Sequence, residues 1–282
     1  MEWQDFVEPW WLEQIQKIED VFVDGELPSD FLHAPAEGVY SLFGSFGIVN
    51  HWYPHWRDTL ALAAARADLS QIHDPTWGGL AEWRQIPGMD PGPANDVLPF
   101  SPTLVCRAER TARCLDDAGV DLSTSERCVH WGGGIGLETL LMRWWGATHT
   151  EYIIDLPVMS RIQHQYLGHE LGFDQVHHAT DDVRDGVINL VPLSSVELVP
   201  QGCDFFVAFH SLNESTVAAQ RYVAETRNWF NADTLVLEWT KDHPDFTGSS
   251  YWMDLMAERS QKAVDPLSFA PGTVFAGGND VR

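Results

Sequence analysis

The chain has 282 residues, of which 44% are hydrophobic and 21% charged, a balance that excludes a disordered chain and allows a full core. Its 41 Asp and Glu against 17 Lys and Arg leave a net charge of -24, a field that repels phosphate and argues against nucleic acid and anionic membranes as partners. No apolar run approaches the roughly 20 residues needed to cross a bilayer.

The N-terminus, Met1 to Asp5, is acidic and lacks the basic segment of a signal peptide, so a cytoplasmic location is expected. Lysine occurs only at Lys17, Lys241 and Lys262. An acidic surface of this kind fits concentrated salt, where screening weakens self-repulsion. The cysteines, Cys106, Cys114, Cys128 and Cys203, form no Cys-x-x-Cys pair. That argues against a zinc or thioredoxin-like motif and for buried thiols.

In chain order, Trp3, Trp10, Trp11, Leu12, Ile15 and Ile18 recur at helical spacing and predict an amphipathic helix to about Val23. Gly25, Pro28 and Pro35 break the chain, and 41–47 reads as a loop or weak strand. Helices are expected from about His55 to Leu69 and from Thr103 to Gly119, separated by a Pro-, Gly- and Trp-rich lid over 74–102. His51 and His55 flank Pro54, which breaks the helical register that a metal pair would need. Trp52, Tyr53 and Trp77 suit the apolar face of a sugar ring.

From residue 126 onward, strands alternate with helices. Strands are expected at 127–131, 151–155, 175–179, 203–210 and 234–239, and helices at 138–145, 158–171 and 215–230. Such alternation implies a mostly parallel, doubly wound α/β sheet, Rossmann-like, covered on both faces. The division expected is a helical, aromatic-rich extension and lid over 1–120 and a Rossmann-like domain over 121–282.

The sharpest local signal follows the first strand: His130-Trp131-Gly132-Gly133-Gly134-Ile135-Gly136-Leu137-Glu138. Glycines between strand and helix permit a tight turn and close approach of a ligand to the backbone. Asp155 ends the next strand, where a carboxylate can accept from the ribose of a nucleoside. The alternative is a cap on the helix that begins near Pro157. The dinucleotide fingerprint Gly-x-Gly-x-x-Gly is not met, because Leu137 or Thr139 stands at its third glycine. The pattern is Gly-x-Gly-x-Gly, from Gly132 to Gly136.

On these residues the chain resembles the class I methyltransferases that use S-adenosylmethionine. The Ile153-Ile154-Asp155-Leu156-Pro157 and Phe209-His210-Ser211-Leu212-Asn213-Glu214 blocks look most like bacterial sugar O-methyltransferases. The resemblance spans about 126–240. It implies that Gly132, Gly133, Gly134 and Gly136 wrap the methionine end of the cofactor and that Asp155 binds its ribose. It also implies that Asp182, with Asp181 second and Val183 beside it, meets the adenine; a solvated turn is the alternative there. One departure is His130, where many such enzymes carry an acid. Another is a short C-terminus, where only 267–270 and 273–276 can supply an antiparallel pair.

A sugar hydroxyl is a weak nucleophile at neutral pH and benefits from a general base. The carboxyl ends of the first and fourth strands flank the expected switch point. That places His210 and Glu214 beside the chemistry, either as the base, with Glu214 alternatively a substrate anchor. Glu238 and His243 are more distant candidates. The expected function is O-methylation of a small carbohydrate or carbohydrate-containing metabolite, with no metal. The alternatives are an NAD(P)-dependent Rossmann oxidoreductase or a non-catalytic ligand-binding protein that kept the fold.

Overall fold

The computed structural model describes residues 2–20, 22, 56–72, 102–240, 251 and 273–278. The 41–47 segment, the aromatic lid over 74–101, His51, His55, Trp52, Tyr53, Trp77, His243 and the expected strand at 267–270 lie outside the described residues. Two compact units form, one from Met1–Leu12 and Thr111–Arg282, the other from Glu13–Arg110.

The N-terminal periodicity resolves into two pieces. Trp3–Phe6 is a 3-10 turn, and the helix α1 runs over Pro9–Glu19. Proline suits a helix start because its missing N–H would find no intrahelical partner there. In the unit 13–110, α2 spans Trp56–Arg66. Helix α3 spans Pro102–Asp117 and crosses the boundary between the units. Ile18, Ala63, Leu69, Ile72 and Val105 are buried in that unit, and Arg66 Nε donates to Glu109 Oε2 at 2.7 Å.

The larger unit is built on one sheet. In chain order it comprises β1 (Arg127–Trp131), α4 (Leu137–Trp144), β2 (Thr150–Asp155), α5 (Pro157–Leu171), β3 (Val176–His178), β4 (Ile188–Pro192), β5 (Phe205–Phe209), α6 (Val217–Arg221), β6 (Thr234–Thr240) and β7 (Thr273–Gly278). The strand order is β3-β4-β2-β1-β5-β6-β7. All neighbours are parallel except β6 and β7, which pair antiparallel. This is the mostly parallel, Rossmann-like sheet that the alternation implies. Strands buried on both faces explain the unbroken apolar runs Tyr152-Ile153-Ile154 and Phe205-Phe206-Val207-Ala208. Among the described residues no helix is long and apolar enough to cross a membrane.

Two elements differ from the sequence reading. Strand β4 is additional, and it stands between β2 and β3. Residues 179–187 link β3 to β4 without a helix. Its buried Asn189 is satisfied by that link, accepting from the Arg184 amide at 2.7 Å and donating to the Arg184 carbonyl at 2.9 Å. The helix expected over 215–230 is shorter. α6 ends at Arg221 and passes into a π turn over Tyr222–Thr226, then a 3-10 turn over Asn228–Asn231.

The N-terminal turn packs within the sheet's own unit. Phe6 lies 5.0 Å from Tyr222 and 6.4 Å from Trp131, ring centre to ring centre. Thr216 donates from its amide to the Phe6 carbonyl and from its hydroxyl to the Asp5 carbonyl, at 3.2 and 2.6 Å.

Candidate active site

Strand order reverses between β1 and β5, so their carboxyl ends border the crevice where open α/β sheets take ligands. The glycine turn leaves β1 at this point. Gly132, Gly134 and Gly136 adopt φ of 79°, 55° and 94°, a left-handed region that other residues enter at a cost. The turn is fixed at both ends. The Gly132 amide continues the ladder to Ile154 O at 2.8 Å, and the Gly136 amide reaches Gly133 O at 2.9 Å. A Cβ on Gly136 would sit 2.9 Å from Leu167 of α5, so this glycine also lets the turn close onto that helix. A Cβ on Gly134 would meet no atom within 4 Å among the described residues. The turn therefore presents bare backbone at Gly134, which fits a ligand lying against the main chain.

Asp155 ends β2 beside this turn. Its Oδ2 accepts from the Gly133 amide at 2.9 Å and from Gln163 Nε2 at 2.8 Å, and its Oδ1 accepts from the Leu156 amide at 2.8 Å. Burial raises its pKa from 3.8 to about 6, against the opposing pull of hydrogen bonds from Leu156, Gly133, Gln163 and Gly134. The helix-cap alternative is reduced to the single bond at Leu156. The N-cap of α5 is Leu156 itself, with Pro157 beginning the helix.

Across the crevice, β5 ends at Phe209 and the chain turns sharply. His210 takes a left-handed φ of 55°, unusual for a residue with a side chain. Its amide donates to Glu238 O at 2.7 Å, and its Nε2 lies 3.1 Å from Glu238 Oε1 within β6. Glu238 is buried and His210 partly exposed, so the imidazole stands between a buried carboxylate and the surface. Glu214 belongs to the same turn, its amide donating to His210 O at 2.9 Å, and it precedes α6 rather than opening it. Ser211 hydrogen-bonds the Trp131 carbonyl, tying this turn to the end of β1.

Asp182 and Val183 follow β3, with β4 between that strand and β2. Asp182 Oδ1 lies 2.9 Å from His177 Nε2, and its side chain is 65% exposed. Ser195, just past β4, donates to the Thr180 carbonyl at 3.1 Å and draws the 180–183 turn toward the carboxyl end of β4. The structure thus brings Gly132–Gly136, Asp155, His210 and Glu214 to the carboxyl ends of β1, β2 and β5. Asp182 and Val183 sit further along the same edge, toward β3.

His130 points into the protein. It is buried, with Nε2 3.3 Å from Glu151 Oε1, and Glu151 also accepts from Thr139 Oγ1 at 2.5 Å. Arg143 Nη2 lies 3.7 Å and His149 Nε2 3.9 Å from the other Glu151 oxygen. Desolvation lowers the pKa of both histidines, His149 to about 4, so they are neutral near pH 7. This interior cluster joins β1, α4 and β2. The pairing of His210 with Glu238 gives Glu238 a closer place than the sequence reading assigned it. The available signal was a carboxylate closing the apolar strand Leu235-Val236-Leu237.

The sequence matches no protein-family model and no curated protein. Among solved structures it is similar to the mitomycin 7-O-methyltransferase MmcR, at 11% identity and a TM-score of 0.42 over 88% of this chain and 74% of that one. It is also similar to the N,N-8-amino-8-demethyl-D-riboflavin dimethyltransferase RosA from Streptomyces davawensis, at 13% identity and 0.42 over 89% and 76%. A third is the 16S rRNA methylase ArmA, at 10% identity and 0.37 over 80% and 97%.

Proposed function

We propose that the protein transfers a methyl group from S-adenosylmethionine to an oxygen of a small molecule, a sugar or a sugar-containing metabolite. The observation that carries this reading is the pairing of two features across the switch point. One is a left-handed glycine turn fastened to Asp155; the other is His210 backed by buried Glu238. In this reading Gly132, Gly133, Gly134 and Gly136 receive the methionine end, Asp155 accepts from the ribose, and Asp182 with Val183 meets the adenine. The bond from Ser195 to Thr180 supports the last assignment by holding that turn near β4. The acidic character of the chain favours a small neutral acceptor over nucleic acid. The resemblance of the Asp155 and His210 blocks to sugar O-methyltransferases favours carbohydrate.

When bound, the sulfonium donor supplies an electrophilic methyl carbon. The chain's own part is positioning and proton transfer. In this reading the His210 ring, held at Nε2 against Glu238, takes the acceptor's hydroxyl proton as the oxygen attacks. Glu238 then faces an imidazolium, a charge-assisted pair in a buried setting. Glu214, on the same turn, anchors the acceptor or serves as an alternative base. Incubation with radiolabelled S-adenosylmethionine and a fractionated metabolite pool tests the reading. Label in a carbohydrate fraction supports it, and no transfer to any small molecule contradicts it.

A further inference from the structure

We propose that Phe6 is a positioning residue: from the N-terminal turn it wedges the Trp131 ring and the start of α6, and so holds the His210–Ser215 turn beside the glycine turn. The inference rests on the methyl-donor reading above and extends the working parts of the site to a residue outside the 126–240 segment.

The contacts close into a ring. Trp131 ends β1; its carbonyl accepts from Ser211, and its indole Nε1 donates to Ser215 Oγ at 3.4 Å. Ser215 is followed by Thr216, the N-cap of α6. The Thr216 amide donates to Phe6 O at 3.2 Å. Its hydroxyl donates to Asp5 O at 2.6 Å while accepting from the Ala219 amide at 3.4 Å. The Phe6 ring then returns to Trp131, 6.4 Å away between ring centres, and to Tyr222 at 5.0 Å. Phe6 and Trp131 are both buried.

Two links of this ring depend on Phe6. A donor–acceptor distance of 3.4 Å lies beyond the usual range of about 2.7–3.2 Å, so the bond to Ser215 alone holds the indole loosely. The packing of the Trp131 ring against Phe6 decides its orientation. Helix α6 has only five residues before the π turn that Tyr222 opens, too few to hold except through what it packs against. Phe6 lies against the Tyr222 ring, whose hydroxyl donates to Glu197 Oε1 at 2.9 Å and pins its far end. The glycine turn is fastened separately, through Ile154 O and Asp155. Loss of Phe6 should therefore loosen the 210–216 segment and leave the cofactor turn in place.

Amide hydrogen exchange on the full-length protein tests the wedge without acceptor or cofactor. In the wild type the Thr216 amide should exchange slowly. In Phe6→Ala, exchange over 211–216 should rise about fivefold or more, while β3 and β4 stay within about twofold. Thr216→Val keeps the shape, loses the hydroxyl's bond to Asp5 O, and should open the same segment; it decides the matter if Phe6→Ala does not fold. Turnover per folded, cofactor-loaded Phe6→Ala enzyme should fall about fivefold or more, with S-adenosylhomocysteine affinity within about threefold of the wild type. No methyl transfer by the wild type sinks the methyl-donor reading itself, an outcome told apart because exchange needs no cofactor. Exchange that rises evenly over the whole sheet makes Phe6 a general packing residue and overturns the inference. So does unchanged exchange at 211–216, or an opened segment with undiminished turnover.

Discussion

Ser211 and Trp131 join the two walls of the crevice: the Ser211 hydroxyl donates to the Trp131 carbonyl, and the next residue, Gly132, has no side chain to stand in its way. A Cβ on Gly132 would overlap Ser211 Cβ. The contact is extended by Ser215, whose hydroxyl donates to Ser211 O at 2.7 Å and receives Trp131 Nε1 at 3.4 Å. The candidate base and the glycine turn are thus held as one piece.

Gly132→Ala combines this overlap with a left-handed φ of 79°. It should destabilise the protein by about 2–4 kcal/mol, read as a lower midpoint in urea. Ser211→Ala removes one hydrogen bond and should cost about 1 kcal/mol. A Gly132→Ala protein as stable as the parent would show that Gly132 and Ser211 are not in such close contact.

His210→Ala should lower turnover by about 10²–10⁴-fold while S-adenosylhomocysteine still binds. Glu238→Gln keeps the shape of the pair but loses its charge, and should lower turnover at least tenfold without raising the KM for the methyl donor. Turnover per folded, cofactor-loaded enzyme is the measure. If neither variant loses tenfold, the reaction depends on positioning or on Glu214, which Glu214→Gln decides.

Binding of the nucleoside should depend on pH through Asp155. A ribose hydroxyl donates to the ionised carboxylate, so affinity should rise as pH climbs through about 6 and level off above it. Asp155→Asn should flatten the profile. An unchanged profile in that variant would place the titrating group elsewhere.

The interior cluster makes the fold sensitive to acid. His149 is neutral in the folded protein, its pKa lowered to about 4, and takes up a proton near 6.5 when unfolded. The unfolded state then binds more protons between these values, so stability should fall as pH drops from 6.5 toward 4. One such group contributes a slope of at most about 1.4 kcal/mol per pH unit. Asp155 works in the opposite sense, since its raised pKa favours the folded state at low pH. His149→Phe, which keeps the edge-on contact with Phe205 at 5.2 Å, should reduce the acid slope. No reduction would exclude His149 as its source.

Stability should also rise with salt. The net charge of -24 implies self-repulsion, which weakens as the Debye length shrinks from about 10 Å at 0.1 M to about 3 Å at 1 M. A melting temperature that stays flat or falls with added KCl contradicts this.

Much of the larger unit was legible because its strands are buried on both faces and read as continuous apolar runs. Strands β1, β2, β5 and β6 and the glycine turn fall where the sequence puts them. Strand β4 escaped because Ile188-Asn189-Leu190-Val191-Pro192 carries a polar residue in its interior and a proline at its end. The acidic turn before it also lacks the helix that usually joins parallel strands. Its insertion changes which carboxyl end neighbours Asp155. The pairing of Phe6 with Tyr222 and Trp131 was invisible for another reason: it joins residues remote in sequence, and no local pattern records it. The direction of His130 was equally hidden, since a strand residue's face depends on what the neighbouring strand buries, here Glu151.

The central claim is that the glycine turn and Asp155 form a site for S-adenosylmethionine, and calorimetry tests it most directly. S-adenosylhomocysteine should bind the full-length protein saturably at one site per chain, while NAD gives no saturable heat. Asp155→Ala should weaken the binding by about 1–3 kcal/mol, the scale of a hydrogen bond to a charged group. Saturable binding of NAD with none of S-adenosylhomocysteine, or an affinity for S-adenosylhomocysteine unchanged in folded Asp155→Ala, would contradict the account.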